Sequence, residues 1–204
     1  MTASPTRPRP ARDLALIATM AGLMAALGLV PAIAPFGGAV PITAQSMGAM
    51  LAGALLGPRL GAASMTLFLG LVALGLPLLS GGRGGLGVFA GPSIGYLVGF
   101  VVGAFVVGLL THRMALRPGG RYVLWIGILA NVLGGAVVLY LLGVPGTAWR
   151  ADLSLETAAV AALTFVPGDL VKAVVAALVA RGVYAAYPGL GPARRPPLHA
   201  DAGV

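Results

Sequence analysis

Thr164-Phe-Val-Pro-Gly-Asp-Leu-Val-Lys172 lies inside the last apolar segment of the chain, and only aliphatic residues follow Lys172 up to Ala180. An ionisable group at membrane depth costs several kcal/mol, about 2.5–3.5 on insertion scales, so its presence there needs a reason. Asp169 and Lys172 stand three positions apart, a spacing that puts both on one helix face where opposite charges neutralise each other. Two explanations are open: a polar ligand or ion site, or a neutralised pair that locks this helix against a neighbour. Pro167 either begins the last full helix in its first turn, where the missing N–H costs nothing, or kinks a longer one. In both cases Asp169 sits just after the break, where free N–H groups and the helix dipole favour its charge. The pair then offers an acceptor and a donor side by side, a match for a urea or amide group.

The rest of the composition places these charges in a membrane. Of 204 residues, 58% are apolar and only 9% charged, against about 25% charged in soluble domains; mean hydropathy is +0.97. The 32 glycines suit close helix packing in lipid. There is no cysteine, so disulfides and thiolate metal sites are excluded. His112 and His199 fall outside the apolar segments, which leaves no intramembrane histidine for a metal or a base, and no cofactor is implied. The net charge of +8 sits in short loops and tails beside apolar spans, so it reports membrane orientation rather than nucleic-acid binding.

The apolar spans predict an all-α integral membrane protein of six transmembrane helices, at Leu14–Val30, Val40–Gly57, Leu60–Leu79, Ile94–Leu110, Val123–Leu142 and Ala158–Ala180. Each approaches the ~20 residues that cross ~30 Å of hydrocarbon. The boundary between the second and third is the turn signal Gly57-Pro58-Arg59. An even number of spans puts both termini on one side, with Arg7, Arg9, Arg12, Arg59, Arg113, Arg117, Arg121, Arg181, Arg194 and Arg195, against Arg83 and Arg150 opposite. That bias makes the termini cytoplasmic in a bacterial cell membrane. A signal peptide is the competing reading of the first span, given its basic start and Ala32-Ile-Ala34. Pro35 after the would-be junction, the length of the apolar stretch and the basic ends left on opposite faces argue against it. One membrane domain is expected over residues 14–187, with Pro- and Arg-rich disordered tails at 1–13 and 188–204.

By this topology Pro31–Thr43, Ser80–Gly91 and Gly143–Thr157 face outward. The glycine-rich stretch Ser80–Pro92 contains Arg83, whose planar fork suits a carboxylate, or which is a solvated charge on a plain connector. Gln45, at the polar start of the second span, is either a ligand contact or a helix–helix hydrogen bond. Ser93, Tyr96 and Asn131 complete the candidate binding residues, the last two being more commonly interfacial or packing residues. On the first span, Ala11-x-x-x-Ala15 and Ala18-x-x-x-Gly22-x-x-x-Ala26 put small side chains on recurring faces, so Ala15, Ala18 and Gly22 are candidates for docking a partner helix or for internal packing.

Taken together, Val40-Pro-Ile-Thr-Ala-Gln45, Leu51-Ala-Gly-Ala-Leu-Leu-Gly-Pro-Arg59 with Gly61, Gly75-Leu-Pro77, Gly91-Pro-Ser-Ile-Gly-Tyr96 and Pro167-Gly-Asp-Leu-Val-Lys172 resemble the BioY family. These are the biotin-specific substrate-binding (S) components of energy-coupling factor (ECF) transporters. The resemblance runs from about Leu14 to Ala180. It implies a six-helix S-component bundle, an outward-facing pocket for biotin, and partners in the form of a transmembrane coupling (T) component and ABC-type ATPases. It also implies that Asp169 and Lys172 contact the ureido ring and that Gln45 is the polar residue opening the second span. Where the family pattern is Gly-Pro-Thr-Gly-Gly-Tyr, Ser93 preserves the hydroxyl and Ile94 replaces a glycine. The resemblance assigns no role to Arg83, whose carboxylate role rests on its chemistry alone.

Two other functions compete. A self-sufficient, proton-coupled secondary transporter of a small polar metabolite would use protonation of Asp169, but this is the one Asp or Glu in a span and no repeated halves are visible. An intramembrane hydrolase lacks a nucleophile and base. The chain carries no Gly-x-x-x-x-Gly-Lys-Ser/Thr loop, so ATP would be used by partners, not by this non-catalytic chain.

Overall fold

A computed structural model describes residues 10–32, 40–117 and 121–187; all but residues 10–13 of the expected tails lies outside these. The regular elements of the described chain are helices: α1 Pro10–Gly28, α2 Gln45–Ala73, α3 Ile94–Leu110, α4 Leu124–Val132, α5 Val138–Arg150, α6 Leu155–Ala162 and α7 Val166–Ala186. A wider turn at Thr111–Ala115 extends α3, another at Leu133–Val137 joins α4 to α5, and a tight turn at Leu163–Phe165 joins α6 to α7. Among the described residues five helical runs are therefore long and apolar enough to cross a membrane.

The expected boundaries shift for local reasons. Residues 10–13, assigned to the tail, form the first turn of α1, with Pro10 opening the helix and Asp13 in the first turn near its positive end. Gly143–Arg150, assigned to an outer loop, belongs to α5. His112, placed outside the apolar segments, lies on the extension of α3, half-buried. The second and third expected spans follow each other without a loop, as two helical arms of α2 that meet at a kink.

The kink lies at Gly57. Gly57 has φ +80°, a conformation that side-chain-bearing residues avoid, and a Cβ there would overlap the His112 ring. A Cβ on Gly61 would lie 2.9 Å from Ala52 O, whereas nine residues of straight helix span about 13 Å. The arm after Gly57 thus folds back on the arm before it. Pro58 has no N–H to give the Ala54 carbonyl. Tyr184 of α7 replaces that donor, its Oη lying 2.9 Å from Ala54 O and 3.2 Å from Leu55 O.

α2 packs most extensively on α3, where Met65, Phe68 and Val72 meet Leu97, Phe100 and Ala104 in the main core. The end of α1 packs on the start of α2 and on the segment after it, since Gly28 abuts Gln45 and Leu78. The starts of α2, α3 and α7 therefore gather at one end of the bundle, while Gly57, His112 and Tyr184 mark the other.

Candidate functional site

Between those helix starts lies an open cavity, lined by residues of α2, α3, α5 and α7. Residues 40–43 and the segment Leu79–Arg83 contribute to its rim. Leu79 and Arg83 pair through backbone bonds of 3.0 and 3.2 Å. The three-residue turn between them, Ser80–Gly82, uses Gly81 and Gly82 at φ +78° and +68°, conformations that side-chain-bearing residues avoid.

Pro167 falls in the first two positions of α7, so Asp169 occupies its first turn and faces the cavity with Lys172. The carboxylate is met from three sides. Asp169 Oδ1 accepts from Lys172 Nζ at 2.8 Å and from Ser46 Oγ at 2.9 Å, while Oδ2 accepts from Tyr140 Oη at 2.7 Å. Lys172 Nζ also donates to Thr43 O at 2.6 Å and to Ser46 Oγ at 3.0 Å. The ammonium thus has an acceptor for each of its three protons, and the network is satisfied. Asp169 is 4% exposed, and the Lys172 side chain 17% exposed. Replacing such a pair by apolar residues is often neutral, so its presence beside a cavity is weak evidence for stability alone.

The other expected residues divide. Gln45 lines the cavity, but its amide is engaged within the protein: Nε2 donates to Met24 O at 3.2 Å and Leu78 O at 3.1 Å, and Oε1 accepts from Ser80 N at 3.0 Å. It ties α1, α2 and the following segment together. Arg83 is exposed at the rim and gives Nε to Ser80 O at 3.2 Å. Ser93 and Tyr96 line the cavity, the Tyr96 ring meeting Phe165 edge-to-face at 5.8 Å. Asn131 does not line it. Its Nδ2 donates to Ala173 O at 3.3 Å, so it ties α4 to α7. A polar residue in an apolar helix faces whichever neighbour packs there, and for Asn131 that neighbour is the α7 backbone.

Ser46 and Tyr140 were not singled out from the sequence. Ser46 adjoins Gln45, and Tyr140 is the lone polar side chain of the run from Val132 to Leu142, signals that marked both as unusual without saying where they point. Ala15, Ala18 and Gly22 share an exposed face of α1, opposite the one that buries Ala21 and Met24. A Cβ on Gly22 would meet nothing within 4 Å. Among the described residues no cluster of His, Asp and Glu suits a metal.

The sequence model of the BioY family matches residues 1–189. A biotin transporter BioY from Rhizobium etli is 50% identical over 184 residues, 90% of this chain and 98% of the relative. One from Rhodobacter capsulatus is 48% identical over 182 residues, 84% and 93% of the two chains. Among solved structures, the S-component for biotin from an ECF-type ABC transporter superposes with a TM-score of 0.79 at 31% identity, covering 88% of this chain and 94% of that one.

Proposed function

The chain belongs to the BioY family, and from that premise we propose that it is the biotin-capturing membrane subunit of an ECF-type transporter. It binds biotin in the cavity at the α2, α3 and α7 starts and relies on a T component and ABC-type ATPases for energised uptake. The observation that carries this reading is the buried Asp169–Lys172 pair with Ser46 and Tyr140 at the wall of an open cavity. Asp169 Oδ2 accepts from the ureido N–H groups, Lys172 sits at the ureido oxygen, and the apolar walls of Phe100, Leu139 and Phe165 hold the bicyclic ring and chain. Arg83 and Tyr96 close the rim, and Gln45 holds the helix starts that frame it.

The two arms of α2 act as separate crossings, which gives six passes and puts both termini on the arginine-rich, cytoplasmic side. The cavity then opens outward. Ala15, Ala18 and Gly22 form the face on which the T component docks, a geometry that allows close helix crossing. Calorimetric titration of the purified full chain with biotin tests the function. Saturable tight binding that other vitamins do not displace is expected. Binding of another vitamin with none of biotin would overturn the substrate while leaving a capture subunit, and substrate accumulation by the chain alone in proteoliposomes under a proton gradient would favour a secondary transporter.

A further inference from the structure

The two polar ends of the cavity differ in what they have left to give a ligand. At Asp169 the three protons of Lys172 go to Thr43 O, Ser46 Oγ and Asp169, and the hydroxyls of Ser46 and Tyr140 both point at the carboxylate. Until Lys172 releases one of its partners, this end offers acceptors: a free lone pair on Asp169 Oδ2 and the oxygen of Tyr140. A ligand carboxylate placed there would face a carboxylate whose partner ammonium has no proton to spare.

At the start of α3 the balance is reversed. Ser93 is 6% exposed and lines the same cavity, yet its Oγ has no hydrogen-bond partner among the described residues. It occupies the residue before the helix with φ −80° and ψ −2°, outside the extended conformation of a capping serine, and its side chain makes no cap. A hydroxyl on a cavity wall that bonds no other residue is free to donate to a ligand. Behind it, α3 runs for 17 residues, and the amides of Gly95 and Tyr96 have no backbone acceptor among the described hydrogen bonds. The helix therefore turns its positive end toward this wall. Thr147 fixes the turn by donating to Pro92 O at 3.0 Å, and Arg83, with one N–H on Ser80 O, brings a full positive charge to the same cavity.

We propose that the Ser93 hydroxyl, at the positive end of α3, donates to the carboxylate of the ligand, which fixes the ligand's direction: N–H groups on Asp169, carboxylate at Ser93. This rests on the biotin-capture reading and adds the group that receives the acid. Ser93 then selects for an acidic ligand without contributing to the stability of the free protein.

The test uses the full-length chain in detergent with biotin and biotinol, the alcohol that keeps the ring and chain but carries no carboxylate. Ser93→Ala should weaken biotin about tenfold, about 1.4 kcal/mol, and biotinol less than about twofold. Its ligand-free thermal midpoint should stay level, because the Ser93 hydroxyl bonds no other described residue. Ser93→Thr, which keeps the hydroxyl, should bind biotin within about threefold of the parent, under 1 kcal/mol. Equal losses for the two ligands, or full biotin affinity in Ser93→Ala, would overturn the assignment while leaving biotin capture intact. Failure of the parent chain to bind biotin would instead remove the reading on which it rests.

Discussion

Asp169→Asn separates a ligand site from a helix lock. The asparagine keeps the shape and one carbonyl oxygen but removes the charge and exchanges the acceptor at Oδ2 for a donor. With its oxygen toward Lys172 and Ser46, its Nδ2 faces Tyr140 Oη, which must turn its hydrogen away from the 2.7 Å contact it now makes. Lys172 loses its counter-charge but keeps Thr43 O and Ser46 Oγ. Removing one member of a buried pair costs about 3–5 kcal/mol; with the Lys172 side chain 17% exposed, the lower end, about 3 kcal/mol, is expected. At about 2–4 °C per kcal/mol for a chain of this length, the thermal midpoint falls by about 6–12 °C, and the protein remains folded in the membrane. Biotin binding, measured by calorimetry, weakens at least ~10-fold, about 1.4 kcal/mol, because a donor now faces the ligand's N–H groups. Combining it with Lys172→Met removes the uncompensated cation, so the double variant regains most of the lost midpoint without regaining binding. Full biotin affinity in both Asp169→Asn and Lys172→Met would make the pair a lock and end the site assignment. A double variant no more stable than Asp169→Asn would refute the charge argument for the cost.

Tyr184→Phe leaves the Ala54 carbonyl without the donor that Pro58 cannot supply, so denaturation should show a loss of about 1–3 kcal/mol with biotin affinity unchanged; an unaltered midpoint would refute the role given to Tyr184 at the α2 break. Arg83→Ala should weaken biotin more than its neutral amide, and hydrogen exchange over Ser80–Gly91 should slow on ligand addition; equal losses and unchanged exchange would make the segment a passive connector. Ala15→Trp or Gly22→Trp should leave biotin binding in place and abolish recovery of the complex with the T component, whereas retained assembly would remove the α1 face as its dock.

Much of this protein is legible in its composition. Apolar runs separated by arginine-bearing turns set the membrane class because lipid admits few charges, and Pro167 marks the start of α7 because proline fits a first helical turn. Asp169 and Lys172 stood out for the same reason: charge is expensive among aliphatic residues, and a spacing of three aligns them. Local sequence says less about facing. In a chain apolar on every side the helical period carries little contrast between lipid and interior, so Gln45 and Asn131 could each be a ligand contact or a packing residue, while Tyr140 and Ser46 did not stand out. In the structure Asn131 bonds the α7 backbone, and Gln45 lines the cavity while its amide bonds the carbonyls of Met24 and Leu78. The turn signal at Gly57-Pro58 marks the break between the two arms of α2, whereas the contacts that hold the kink, His112 and Tyr184, come from other helices and have no local signal. The sequence by itself determined which residues are too polar for lipid and where the chain can bend. Only the tertiary structure decided which of those polar groups satisfy one another and which, like the Ser93 hydroxyl, are left facing the cavity, because hydrogen-bond pairing depends on distances between helices far apart in the chain.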